Sequence, residues 1–192
     1  LVKLYERGEL NQAVLDMIRW NVRTPENVIG DIRSQTAANH VCAAQVQRML
    51  EEYRLDSLDD LADEIIARSE KSVRSAIEQV PDGVYRAEGV IEQMEGQKDI
   101  NIKAAVEIKG SDISVDLAGS SPQVSWGGNV VYNFTFAYVH MAIKSIFDPD
   151  IPNNHGSVAV IKLDAPEGSV VNCRFPAAVA ARMQIGHFMA EI

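Results

Sequence analysis

The sequence has little cysteine, no basic cluster and no long hydrophobic run. Its only cysteines, Cys42 and Cys173, form no Cys-x-x-Cys pair. This argues against a disulfide framework or a zinc knuckle and predicts buried, inert thiols in a reducing cytoplasm. A net charge of −9 without a basic cluster disfavours nucleic-acid and membrane partners. No uninterrupted apolar run reaches the roughly 18 residues that a membrane-spanning helix needs.

Several catalytic and metal-binding motifs are also missing. Residues 120–122 lack the Gly-x-Ser-x-Gly pattern of a nucleophile elbow, and Gly127-Gly128-Asn129 lacks the lysine of a phosphate-binding loop. No histidine has a second ligand at His-x-x-x-His or His-x-His spacing. The sequence therefore predicts neither an ATP-binding motif nor a complete metal site within this chain.

What is present in the first part of the chain is helical periodicity. Apolar spacing predicts a helix over residues 10–21, a second from Pro25 to about Arg54, and a third that Ser57 caps and that runs to about Val80. A Pro-Asp-Gly break then marks a domain boundary near Pro81. The interpretation is a helical segment over residues 1–80 and an α+β segment over residues 81–192.

The period changes to two after this break. Alternation over residues 100–118 predicts an antiparallel hairpin around Gly110-Ser111, with a third strand over residues 84–94. Residues 131–147 are apolar nearly all round and predict a buried helix. Further strands are expected over 158–163 and 169–172, and a last helix from Pro176. The predicted fold class is α+β: a helical segment, then a mixed, largely antiparallel sheet with a buried helix.

A row of polar residues interrupts the apolar stripe of the second predicted helix. At 100° per residue, Asp31, Gln35 and Asn39 fall among the apolar positions and are therefore expected to be buried. Because buried polar groups need partners, the row is either a helix-packing network or part of a site. Arg182 could pair with a substrate carboxylate or form a structural ion pair. The residues alone leave these alternatives open.

Five separated segments resemble the hydantoinase B/oxoprolinase family, which includes subunits of N-methylhydantoinases, 5-oxoprolinases, and acetone and acetophenone carboxylases. The matching segments, which occur in the family's order, cover residues 2–8, 21–35, 116–124, 148–156 and 165–168, and residues 174–179 with Arg182 extend the match. The resemblance covers nearly the whole chain. Because both ends stop without a start or capping signal, the chain is expected to be an internal piece of such a subunit.

The resemblance implies the B-type subunit of an ATP-dependent enzyme that opens cyclic amides such as hydantoin or 5-oxoproline. An A-type ATPase partner would bind ATP and activate the substrate by phosphorylation, within a hetero-oligomer. A divalent metal could lie in the full subunit, although the family's metal-ligand-like His/Asp motifs precede this chain, so the piece alone is expected to be inactive. The alternatives are a subunit of an ATP-dependent ketone carboxylase and a non-catalytic assembly module.

The resemblance also selects candidate site residues. Within the Gly-Asp-x-Arg-x-Gln segment, Asp31, Arg33 and Gln35 are the candidate catalytic residues. The candidate substrate-binding residues are Asn39, Ser121, Gln123, Asn153, Asn154 and Arg182. His155 is assigned no ligand role, because the family loop more usually has a small or acidic residue there.

Overall fold

The computed structural model describes residues 2–93 and 98–192, which form two compact units that divide between Asp59 and Asp60. The first unit contains a short antiparallel hairpin and two helices. Its elements are β1 (Tyr5–Glu6), β2 (Glu9–Leu10), α1 (Gln12–Asn21) and α2 (Pro25–Tyr53). The Asn11 side chain accepts a hydrogen bond from the backbone of Val14 and caps α1.

The helix α2 confirms the predicted start and end of the second helix. Pro25 occupies its first turn, where a missing N–H costs little, and Arg54 ends it in the left-handed conformation. Its burial is much smaller than the apolar stripe predicted, because Ile29 is its single buried residue. At about 1.5 Å per residue α2 is about 44 Å long, and α1 is about a third of that length. Most of α2 is therefore open to solvent.

The second unit begins with α3 (Asp59–Ile77), and the Ser57 hydroxyl accepts a hydrogen bond from the first backbone N–H of that helix. Val73 and Ile77 are buried in the core that the sheet and the later helices share. This helix therefore groups with the sheet, whereas the sequence interpretation placed it in the helical segment that ended at residue 80. The division between the two units lies between the first and second residues of α3.

The sheet of the second unit has four strands in the order β3-β4-β5-β6. They are β3 (Gly83–Ile91), β4 (Ile100–Lys109), β5 (Asp112–Asp116) and β6 (Ile161–Asp164). The first three are antiparallel and β6 is parallel to β5, which confirms the mixed, largely antiparallel sheet. Gly110, at φ +59°, forms the tight β4–β5 turn. The third strand is also confirmed, although it ends at Ile91, and residue 94 of its predicted range lies outside the described residues.

Two helices cover the apolar face of the sheet. They are α4 (Tyr132–Phe147) and α6 (Arg182–Glu191). Gly89 of β3 provides the room for α6, because a Cβ there would lie 2.6 Å from a ring carbon of Phe188. The prediction that α4 is buried holds for one face, which contains Val139 and Ile143, and is wrong for the opposite one, where Met141 is 48% exposed.

Three boundaries in the last third differ from the sequence predictions. Residues 155–159 form helix α5 (His155–Ala159), because Asn154 and Ser157 build a capping box; the strand therefore starts at Ile161 and not at Val158. Residues 169–172 make isolated bridges in place of a strand. The last helix begins at Arg182, six residues after Pro176, because backbone groups of residues 178–181 bond to the loop around Gly127.

None of the helices in the described ranges is both long and apolar enough to cross a membrane.

Candidate functional site

The candidate catalytic residues lie on the solvent-exposed part of α2. Asp31, Arg33, Gln35 and Asn39 are all exposed, so the prediction of a buried polar row is wrong. The cause is the short reach of α1, which leaves this part of α2 without a covering element in the first unit. Residues four apart share a helix face, so Asp31, Gln35 and Asn39 form one polar strip, whereas Arg33 lies on another side.

Ser121 and Gln123, in the loop after β5, make hydrogen bonds within the fold. The Ser121 Oγ accepts a hydrogen bond from the backbone N–H of Asn101 at 2.9 Å. The Gln123 Oε1 accepts one from the backbone N–H of Arg174, also at 2.9 Å. These bonds fasten the loop to β4 and to the segment before α6. The structure thus gives both residues a loop-fastening role.

Asn154 and Asn153 are neighbours with different surroundings. The Asn154 Nδ2 donates to the Ser69 Oγ at 2.7 Å, and its Oδ1 accepts from the Gly156 N–H at 2.9 Å. Asn154 therefore caps α5 and links it to α3. The side chain of Asn153 is exposed and lines a groove beside α4.

Arg182 lies at the first residue of α6. Its guanidinium carbon is 5.6 Å from the ring centroid of Phe134, and its Nη1 donates to the Val179 carbonyl oxygen at 3.3 Å. Within residues 2–93 and 98–192, no carboxylate lies at ion-pair distance from it. The stacked guanidinium is oriented and has free donors for a carboxylate.

Asn129 is a buried polar residue that the sequence reasoning missed. Its Oδ1 accepts from the Val124 N–H at 2.7 Å, and its Nδ2 lies 2.9 Å from each of the carbonyl oxygens of Val124, Trp126 and Ala178. One amide thus contacts four backbone groups in the interior, and its two N–H donors are shared among three carbonyl oxygens. The available signal was an asparagine after two glycines, a composition typical of an ordered turn.

A groove runs along the outer face of α4, on the side away from the sheet. We call it the α4 groove; it has a volume of about 330 Å³ and is lined by Ala137, His140, Met141, Lys144, Ser145, Pro149 and Asn153. The Lys144 Nζ donates to the carbonyl oxygens of Asp148 at 3.3 Å and Pro149 at 3.0 Å. Burial, with a smaller effect of Lys144, holds the pKa of His140 below its ordinary value. The groove therefore combines one cation with a neutral imidazole.

The ion pairs of Arg74 join α3 to the β4–β5 turn. Its Nε lies 2.8 Å from Glu70 and its Nη1 lies 2.7 Å from Asp112. The hydrogen bond from Arg74 is the main cause that lowers the pKa of Asp112. This cluster is structural, since it closes the end of the sheet.

The thiols and acidic residues provide no further reactive centre. Cys42 is exposed on α2, so the expectation that it is buried is wrong, and Cys173 is half-buried with a thiol pKa that burial raises. Across the described ranges, no three His, Cys, Asp or Glu side chains come together in a way that could hold a metal ion. The side chains in those ranges therefore do not fit a metal ion.

The hydantoinase B/oxoprolinase profile matches residues 1–192. The chain belongs to the hydantoinase B/oxoprolinase family. This confirms the resemblance that the separated segments indicated.

A curated relative of this chain agrees with the family assignment. The chain is 34% identical over 202 residues to the putative D-/L-hydantoinase B-type subunit of Pseudomonas sp. (strain NS671), a match that covers 99% of this chain and 34% of that protein. It therefore spans about a third of that curated relative's length.

Two solved structures of larger proteins share this fold. The crystal structure of ATP-dependent caprolactamase from Pseudomonas jessenii matches with a TM-score of 0.90 and 25% identity, over 98% of this chain and 33% of that one. An acetone carboxylase in its nucleotide-free state matches with a TM-score of 0.78 and 17% identity, over 94% of this chain and 26% of that one. The second likeness shows the fold alone.

Proposed function

We propose that this chain is part of the B-type subunit of an ATP-dependent enzyme that hydrolyses cyclic amides, of the kind that opens hydantoin or 5-oxoproline rings. The observation that carries the proposal is the family match over residues 1–192. The relative named as a hydantoinase and the fold shared with an ATP-dependent caprolactamase support it, because both names refer to ring-opening of cyclic substrates.

The proposal includes a partner that supplies the energy for ring opening. The hydantoinase relative is named as one kind of subunit, which implies a complex with another kind. We assign ATP to an A-type ATPase in a hetero-oligomer, because no phosphate-binding motif occurs in this sequence. Since ATP is supplied in the cytoplasm, the proposal places the complex there. A divalent metal, if the full subunit uses one, would need ligands from outside this chain.

The polar strip on α2 is the part of the chain that we assign to the chemistry. Hydrolysis breaks the ring C–N bond, adds the water oxygen to the carbonyl carbon and leaves a proton on the nitrogen. Asp31 can accept the proton of the attacking water, and the amides of Gln35 and Asn39 can orient the ring through its carbonyl and N–H groups. Because these groups are exposed here, other segments of the subunit would have to cover them.

The proposed catalytic role of Arg33 and the proposed substrate contact of Arg182 have less geometric support. Arg33 lies on a different side of α2 from Asp31, and Arg182 belongs to the second unit. Arg182 has the better case, because its guanidinium is held against Phe134 and is free to pair with a carboxylate.

An assembly module is the second candidate function, and specific observations favour it. Ser121, Gln123 and Asn154 are engaged in bonds that hold loops together. Two large aromatic side chains, Trp20 and Phe175, are 83% and 99% exposed, and exposed aromatic residues are frequent in protein interfaces. The ketone carboxylase alternative has support from the fold alone.

The test is ATP-dependent phosphate release by the full-length subunit, with and without its A-type partner. Hydantoin, 5-oxoproline and caprolactam are supplied separately, and acetone with bicarbonate provides the carboxylase arm. Phosphate release that a cyclic amide stimulates only when both subunits are present supports the proposal. Stimulation by acetone and bicarbonate alone would replace it with the carboxylase, and no stimulation by any substrate would leave the assembly module.

A further inference from the structure

The shape of the α4 groove restricts what it can hold. Ala137, His140, Met141, Lys144 and Ser145 recur at three- or four-residue intervals, so they form one continuous face of the helix. The loop that contains Pro149 and Asn153 forms the opposite wall. At about 330 Å³ the groove lies at the lower end of the size range of ligand pockets. It can take a small organic molecule but not a nucleotide.

The charge of the groove comes from one lysine whose position is fixed. Two carbonyl oxygens hold the Lys144 ammonium group, and an ammonium group has three donors, so one remains. Carbonyl oxygens do not neutralise the charge. In the described ranges no carboxylate oxygen lies within 4.0 Å of the Lys144 Nζ. The nearby Asp148 carboxylate accepts a hydrogen bond from the Ser72 hydroxyl.

The remaining polar groups of the groove are arranged around this cation. The His140 Nε2 lies 3.5 Å from the Ser157 Oγ, and that hydroxyl donates to the Asn154 carbonyl oxygen at 2.9 Å. The His140 imidazole is therefore held in place by Ser157 and forms part of the groove lining. Asn153 lines the opposite wall, and its side-chain amide can donate a second hydrogen bond to a ligand that Lys144 attracts.

We propose that the α4 groove binds the carboxylate group of a small organic acid, through the Lys144 ammonium group and the Asn153 amide. This proposal rests on the proposed function in one respect, because ring opening of a cyclic amide produces an acid and Asn153 is among the candidate substrate-binding residues. Binding is measured separately from turnover, so each proposal can fail without the other.

The experiment uses the full-length subunit labelled with ¹³C at the histidine ring, with sodium acetate as the probe. The His140 resonance is assigned by its loss in the His140→Gln variant. At constant ionic strength, acetate is expected to shift this resonance saturably, whereas acetamide, which has the same shape and no charge, leaves it in place. Equal shifts with acetate and acetamide would overturn the proposal.

Three variants separate the groove from a general effect of surface charge. Lys144→Met is expected to weaken acetate binding about tenfold or more, because a charge-assisted hydrogen bond is lost, and Lys144→Arg to stay within about threefold of wild type. Lys162→Met, an exposed lysine on β6 that lines another cavity, is the matched control and should bind as wild type does. Wild-type affinity in Lys144→Met contradicts the proposal.

The Asn153→Ala variant covers the case in which loss of Lys144 disturbs the loop that follows α4. Asn153 is exposed, so its truncation leaves the fold intact and is expected to weaken acetate binding about threefold to tenfold through loss of one hydrogen bond. If Asn153→Ala bound acetate with wild-type affinity, the Asn153 amide would not hold the carboxylate and the proposal would be wrong.

Discussion

The side-chain Nδ2 of Asn129 donates to the carbonyl oxygen of Ala178 at 2.9 Å and so joins two loops that are 49 residues apart in the sequence. The same amide also bonds to the backbone N–H and carbonyl oxygen of Val124 and to the carbonyl oxygen of Trp126. A buried side chain with this many partners leaves several unpaired backbone groups when it is removed.

The Asn129→Ala variant of the full-length subunit is therefore expected to lose about 2 to 4 kcal/mol of unfolding free energy, because buried donors and acceptors would lack partners. Denaturant unfolding measures the loss. The matched control is Asn133→Ala on the exposed side of α4, which should stay within about 0.5 kcal/mol of wild type. Equal stability of the two variants would mean that water replaces the Asn129 amide.

Replacement of Asp31 by Asn tests the catalytic assignment. If Asp31 accepts a proton from the attacking water, turnover by the assembled complex should fall by about two orders of magnitude or more. The melting temperature should not change, because asparagine keeps the size and shape of the aspartate side chain. The control Glu51→Gln, exposed on the same helix, should keep full turnover. A variant that dissociates from its partner subunit while turnover per complex is unchanged would favour the assembly module.

Replacement of two glycines by alanine is expected to change the stability of the protein in opposite directions. A Cβ at Gly156 would run into the carbonyl oxygen of Ile66 and lie 2.9 Å from the backbone nitrogen of Glu70, so Gly156→Ala should separate α5 from α3 and prevent stable folding. Gly30, within α2, has open space around it, so Gly30→Ala should raise stability by up to about 1 kcal/mol through helix propensity. Thermal unfolding measures both; a tolerated Gly156→Ala would contradict the close packing of α5 on α3.

The Arg74–Asp112 pair predicts a pH dependence of stability. Arg74 lowers the pKa of Asp112 in the folded state, so the pair contributes stability above the unfolded value, near pH 3.9 for aspartate. That contribution is lost as the pH falls through the lower folded pKa. The melting-temperature difference between wild type and Asp112→Asn should therefore be constant near neutral pH and shrink in acid. A difference that grows in acid would contradict this ion pair.

The sequence predicted the elements whose signals are local. Pro25 at the start of α2 and the strict alternation around Gly110 are each contained within a few residues, and both agree with the structure. The start of the last helix was not predictable in this way. Its position depends on the bond between Asn129 and Ala178, and no pattern within residues 176–192 records a partner so far upstream.

The candidate site was less predictable than the fold, because burial is a property of neighbours. Asp31 and Gln35 share a helix face, as their spacing predicts, but the stripe contains no information on whether anything covers that face. Ser121 and Gln123 belong to family-like segments, yet their side chains fasten loops. Motif membership alone therefore does not separate structural from chemical roles.

The link between α3 and the start of α5 has a consequence for synthesis of the protein. Ser69 and its partner Asn154 are 85 residues apart, and ribosomes add about 5 to 20 residues per second. The α3 helix therefore leaves the ribosome roughly 4 to 17 s before its hydrogen-bonding partner is made. During that interval Val73 and Ile77, which are buried in the finished core, are open to chaperones and to other nascent chains.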